Sequence, residues 1–122
     1  MNTDAVARRL VQLCRLGKFN EAQDELYAPD ARSIEPEGMS GALGSVVGMN
    51  AIREKGKRFE ESVAQMHGVT CSDALVADPF FSVVMGFDAT YKEGGRRAVE
   101  EICVYEVRNG KIVLEQFFYG VG

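Results

Sequence analysis

The sequence predicts an α+β domain, with helices grouped on one side of a mainly antiparallel sheet. Three observations lead there. Apolar residues recur at helical spacing through the first 63 residues. After His67 they recur at every second position, and the breaks between the later segments fall on Asp-Pro, Gly-Gly and Asn-Gly. Helices gathered before strands, rather than alternating with them, is the pattern of an α+β fold. At 122 residues the chain is expected to be a single domain, 1–122, large enough for one core and too small for two.

Each element has its own signal. Thr3 is placed to cap a first helix whose apolar side is Val6, Leu10, Leu13 and Cys14, with Gly17 as its stop. A second, shorter helix runs from Phe19 to Leu26 and buries Phe19, Ala22 and Leu26. Pro29 and Pro36 bracket a short strand, Ala31 to Glu35. A Gly- and Ser-rich connection, "GMSGALGSVVGMN", has no clear period. A third helix starts near Asn50 and sets Ile52, Gly56, Phe59 and Val63 on one stripe. The strands then follow as "VTCSDALVA", "FFSVVMGFDATY", "RAVEEICVYEV" and "KIVLEQFFY", an antiparallel meander.

In "FFSVVMGFDATY" the inward face is Phe81, Val83, Met85, Phe87, Ala89 and Tyr91, because the other face carries Ser82, Gly86, Asp88 and Thr90. The last two strands each carry apolar and acidic residues on both faces, so composition does not orient them. A three-residue turn at "RNG", with Gly110 as a bulge, sets Cys103 opposite Glu115 and Glu101 opposite Phe117. A two-residue Asn109-Gly110 turn instead sets Cys103 opposite Gln116. Spacing leaves both open.

Composition narrows the function classes. The chain is 46% hydrophobic and 26% charged, with net charge −4 and no basic cluster, which argues against nucleic acid and anionic membrane as partners. No segment has the apolar length of a membrane span, and Asp4, Arg8 and Arg9 interrupt any leader-like run. Cys14, Cys71 and Cys103 are odd in number and without CxxC spacing, and His67 is the only histidine. A disulfide framework, a metal site and a bound cofactor are therefore not expected, and the location expected is cytoplasmic. The glycines at 38, 41, 44 and 48 lack the GK[ST] of a phosphate loop and are read as a flap.

Two helices, then "ELYAPDARSIEPEG", a loop, "GMNAIREKGKRF" and a meander ending in "VYEVRNGKIVLEQFFYG" resemble the SnoaL-like proteins of the nuclear transport factor 2-like superfamily. The resemblance implies a cystatin-like cone, in which three N-terminal helices pack inside a strongly curved sheet. It also implies an apolar pocket open at one end and a homodimer formed through the outer sheet face. Against the ketosteroid isomerases of that superfamily, Glu35 falls on the general base and Cys103 on the second pocket acid. The oxyanion tyrosine falls near Leu10, so both oxyanion donors are missing. The resemblance favours the bulged turn, which points Glu101, Cys103, Tyr105, Glu115, Phe117 and Tyr119 into the cone.

The expected function is binding of a small apolar oxygenated molecule in the cone, with cofactor-free general acid–base chemistry of the isomerase or cyclase type. Glu35 is the candidate base and Glu115 the candidate acid, or else Glu115 pairs with an inward arginine such as Arg97. Tyr105, Tyr119, Cys103, Phe117, Phe87, Met85 and Phe59 are the candidate ligand-lining residues. Glu101 is placed near the rim, and His67 at a strand start on the surface. The alternative is a non-catalytic dimeric binding or assembly module, joined through Ile102, Val104, Leu114 and Phe118.

Overall fold

Helix α1 spans Thr3–Arg15, α2 Phe19–Leu26 and α3 Met49–Ser62 in the computed structural model, which describes residues 1–38 and 44–120. The strands are β1 (Tyr27–Ile34), β2 (Val46–Val47), β3 (Val63–Cys71), β4 (Leu75–Ala77), β5 (Phe80–Tyr91), β6 (Gly95–Arg108) and β7 (Lys111–Phe118). They form one sheet in the order β2-β1-β7-β6-β5-β3, with β4 extending the β3 side of β5. All neighbours are antiparallel except β1 and β7, which run parallel. The expected flap falls partly on residues 39–43, outside the described residues. Among the described residues no helix is long and apolar enough to cross a membrane.

Helix α1 buries Val6, Leu10, Leu13 and Cys14, the expected stripe. Its cap is Asn2, not Thr3: the Asn2 side chain accepts from the Ala5 amide, while the Thr3 hydroxyl donates to Asp78 at 2.5 Å. Gly17, at φ 72°, ends the helix as expected. Its amide bonds to Cys14 O and that of Lys18 to Leu13 O, the paired closure of a Schellman motif. Helix α2 has the expected bounds. In α3 the buried stripe is Met49, Ile52 and Lys55, so Lys55 and not Gly56 faces the core. Both lie on the same helical face as Ile52, three and four residues on. Polarity had pointed to the glycine.

Helix α3 touches β1 and β2 at one edge of the sheet and β3 at the other. Helix α3 therefore spans the sheet from one side to the other.

Several strand expectations are corrected. Strand β1 begins at Tyr27 and contains Pro29, rather than being bracketed by it. Its ladder to β7 jumps from Tyr27↔Ile112 to Arg32↔Leu114. Proline has no amide to offer the ladder, so the irregularity falls where it must. The "VTCSDALVA" segment divides into β3 and β4, and β3 starts at Val63, before His67.

The β6–β7 turn is the second of the two forecast, but the register beyond it is neither of those expected. Asn109 (φ 50°) and Gly110 (φ 74°) form a two-residue turn closing on Arg108↔Lys111. Two positive φ values in a row are the type I′ geometry that Asn-Gly favours. The three-residue bulged turn is therefore absent. A bulge sits instead within β7, where Val107↔Ile112 is followed by Glu106↔Leu114, leaving Val113 as the extra residue. Beyond it Tyr105 pairs with Glu115 and Cys103 with Phe117. The inward face is the expected one, although both expected registers were wrong.

Alanine at Gly110 would hold a side chain in the left-handed region, with its Cβ 2.9 Å from the Met1 carbonyl oxygen. Gly110→Ala is expected to cost about 1–2 kcal/mol, read by urea denaturation. Unchanged stability would contradict the turn assignment.

Candidate functional site

Exposure along the inner faces shows which end of the sheet is closed. On β6 the inward series Val107, Tyr105 and Cys103 is buried, Glu101 is half-buried and Val99 is 42% exposed. On β5, Phe81, Val83 and Met85 are buried and Phe87 and Tyr91 half-buried, with the small Ala89 buried between them; on β7, Ile112 and Glu115 give way to half-buried Phe117 and Tyr119. The concave side is sealed at one end and meets solvent at the other.

Near the boundary between these zones, polar side chains meet. Ser33 on β1 and Glu115 on β7 are direct cross-strand partners. Ser33 Oγ donates to Glu115 Oε2 at 2.7 Å, and the Tyr27 hydroxyl donates to Glu115 Oε1. Lys55 Nζ, arriving from α3, donates to Ser33 Oγ at 2.5 Å. Tyr27 and Ser33 are six residues apart, about 20 Å in a regular strand. They reach one carboxylate because β1 is contracted at Pro29 against only three residue steps of β7.

Glu35 follows the end of β1, where its amide donates to Ser45 Oγ at 2.9 Å. Its Oε1 accepts from the Tyr119 hydroxyl at 3.2 Å. Its Oε2 lies 3.9 Å from Lys55 Nζ, with each side chain only 10% exposed. That oxygen is buried and has no hydrogen-bond partner among the described residues. Glu101 Oε1 accepts from Cys103 Sγ at 3.6 Å, and the Lys55 ammonium stands 5.5 Å from the centre of the Phe117 ring.

Burial dominates the electrostatics. It raises the Glu115 carboxyl above its ordinary range, opposed by the hydrogen bonds from Tyr27 and Ser33 and by the charge of Lys55. It raises Glu35 likewise, opposed by Lys55 and Tyr119 and assisted by Glu115. Glu101 is pushed up to about 7 by burial, with the Glu35 and Glu115 charges adding to it. Burial and the adjacent Glu101 push the Cys103 thiol up as well, which disfavours a thiolate nucleophile.

The structure brings together Glu35, Tyr119, Glu115 and Phe117 among the residues expected from sequence. Glu115 does not pair with Arg97, which stacks on Tyr91 at 4.4 Å. Cys103, Tyr105 and Met85 lie in the sealed part of the core, with Tyr105 stacked on Phe81 at 4.8 Å. Phe59 and Phe87 form an aromatic pair at 5.7 Å, which Phe19 and Tyr91 extend. His67 is exposed and bonds to Thr90 at 2.7 Å. Sequence reasoning missed Lys55 and Ser33. The usable signal for Lys55 was its place between Ile52 and Phe59 on the helical stripe.

A curved sheet wrapped around helices, with a polar cluster at its open end, defines a protein of the nuclear transport factor 2-like, cystatin-like class. More narrowly, the chain belongs to the SnoaL-like domain family, which matches residues 1–119. It is similar to a protein from Mesorhizobium loti provisionally described as a SnoaL-like polyketide cyclase, at 30% identity, TM-score 0.89, and 98% and 100% coverage of the two chains. A cystatin-like protein of unknown function from Xanthomonas campestris shares the fold at 17% identity and TM-score 0.82, covering 99% and 92%. TerC, crystallised with polyporic acid, shares it at 16% identity and TM-score 0.77, covering 98% and 92%. No curated protein matches the chain.

The raised carboxyls have a thermodynamic signature. A carboxyl whose value is higher folded than unfolded holds more protons in the folded state between the two values, so stability falls as pH rises through that window. For Glu101 the window runs from 4.5 to about 7 and is worth up to ~3 kcal/mol. Glu25 and Asp88, held low by Arg9 and Arg96, act below it with the opposite sign. Denaturation across pH 4.5–7.5 is expected to show falling stability, and Glu101→Gln to flatten the fall. An equal slope in the variant would contradict the assignment.

Proposed function

We propose that this protein binds a small apolar molecule bearing one or two oxygens at the open end of its curved sheet. It acts on that molecule by cofactor-free proton transfer, with Glu35 as the base. The observation that carries this reading is the buried, unpartnered Glu35 Oε2. A carboxylate oxygen kept from water without a donor is costly, and the proton affinity that burial raises makes Glu35 a stronger base than an exposed carboxylate. Tyr119 orients the other oxygen of the same carboxyl. Phe117, Phe87 and Phe59 offer apolar walls toward the open end. Both oxygens of Glu115 are already engaged, so its role is to hold Ser33 and Lys55 in place rather than to meet the ligand.

The family relationship supports this reading, as does a fold relative co-crystallised with polyporic acid. Its test is exchange of the α-protons of 2-tetralone, an apolar enolisable ketone, in D2O followed by NMR. The protein is expected to accelerate exchange, and Glu35→Gln, folded by circular dichroism, to lose about 100-fold or more. Unchanged exchange in that variant would sink the base assignment.

A second reading, self-association through the outer sheet face, is favoured by one observation. Val84, Ile102 and Phe118 are successive cross-strand partners on β5, β6 and β7, exposed by 40%, 50% and 48%. Such a contiguous apolar row is what an interface covers. Ile102→Glu is expected to convert a dimer to monomer in light scattering with little change in the inner site. A monomeric wild type would refute it.

A further inference from the structure

The geometry points to a two-point site for an acidic hydroxyl, an enol or a phenol, held between Lys55 Nζ and Glu35 Oε2. It rests on the proposed function only for where the ligand sits. Ser33 gives its single proton to Glu115, so Lys55 must be the donor in the Lys55–Ser33 bond. The chain of bonds therefore runs from Lys55 to Ser33 to Glu115, with Tyr27 closing the other side. An ammonium has three N–H groups. Ser33 takes one, and no other hydrogen-bond acceptor meets Lys55 among the described residues.

Opposite stands Glu35 Oε2, an acceptor with no donor among the described residues, on a side chain nine-tenths buried. The 3.9 Å between the two atoms is too long for a hydrogen bond. One oxygen about 2.8 Å from each, at close to a right angle, would bridge them, and admitting it requires the side chains over the buried Oε2 to part. A hydroxyl answers both groups, donating to Glu35 and accepting from Lys55. A carbonyl answers only Lys55, a protonated amine only Glu35, and an apolar group neither. Ionisation in place is balanced. The O–H bond breaks, its proton goes to Glu35 Oε2, and the electron pair stays on the oxygen beside the ammonium. The Phe117 ring next to Lys55 favours a flat, aromatic or conjugated body for the ligand. Lys55 thereby supplies, from α3, the donor that neither Leu10 nor Cys103 can offer.

The probe is 2-naphthol, with 2-methylnaphthalene as its hydroxyl-free counterpart, each titrated by calorimetry. The wild-type protein is expected to prefer 2-naphthol by tenfold or more, and Lys55→Met to abolish that preference. If Lys55→Met does not fold, the wild type alone decides. With 13C-labelled lysine, 2-naphthol and not 2-methylnaphthalene shifts the ε-methylene signal of Lys55, one of five lysines. No wild-type preference, an undiminished preference in folded Lys55→Met, or an unmoved Lys55 signal would each overturn the site. Tetralone exchange that survives Glu35→Gln while the naphthol preference stands removes the base reading and keeps this one. Exchange lost in Glu35→Gln with no naphthol preference does the reverse.

Discussion

The buried carboxylate of Glu115 sets terms that the surrounding structure must meet. At 5% exposure it cannot be left to water, and an uncompensated charge there would cost several kcal/mol. Its two oxygens are met by Tyr27 and Ser33, both on β1, and Ser33 is in turn met by Lys55 from α3. One side chain thus ties the parallel β1–β7 pairing, the contraction at Pro29 and the seating of α3 into one arrangement. The parallel pairing is also where the N-terminal half of the chain joins the meander, so closure of the curved sheet and satisfaction of this carboxylate occur together.

Much of the fold was legible because its signals are local. Gly17 stops α1 by a conformation glycine reaches easily, α2 has the predicted bounds, and β5 matches its alternating segment residue for residue. What sequence could not deliver depends on distant partners. Strand β1 starts early because it pairs in parallel with a strand near the other end of the chain. Lys55 was passed over for Gly56 because a lysine on a core stripe makes sense only once Ser33 and Glu35 are known to wait there. The inward face of β6 and β7 came out right although neither expected register survived, since the bulge added a second shift to that of the turn.

The candidate site holds Glu35, Glu101 and Glu115 around a single ammonium. Burial raises all three carboxyls, so protons as well as counter-charge make the cluster tolerable. Such an arrangement does little for stability, and it brings Glu101, pushed up to about 7, into the range where chemistry at neutral pH operates. It also grades the three acids by position. Glu115 is locked in the sealed zone, Glu35 is bound through one oxygen only, and Glu101 leans on a thiol, a weak donor.

The extra residue at Val113 resembles a dislocation in a crystal: a lattice defect that the lattice itself does not fix in place. A backbone ladder accepts such a step at neighbouring positions with little difference in its own bonding, so something outside the backbone must pin it. Here the pin is the Ser33–Glu115 bond, which holds only one phase of β7. With the step moved past that point, Leu114 would turn inward and Glu115 outward. An acid that burdens the interior energetically therefore also keeps the final strand in a single phase, making structural uniqueness and candidate chemistry two products of one residue.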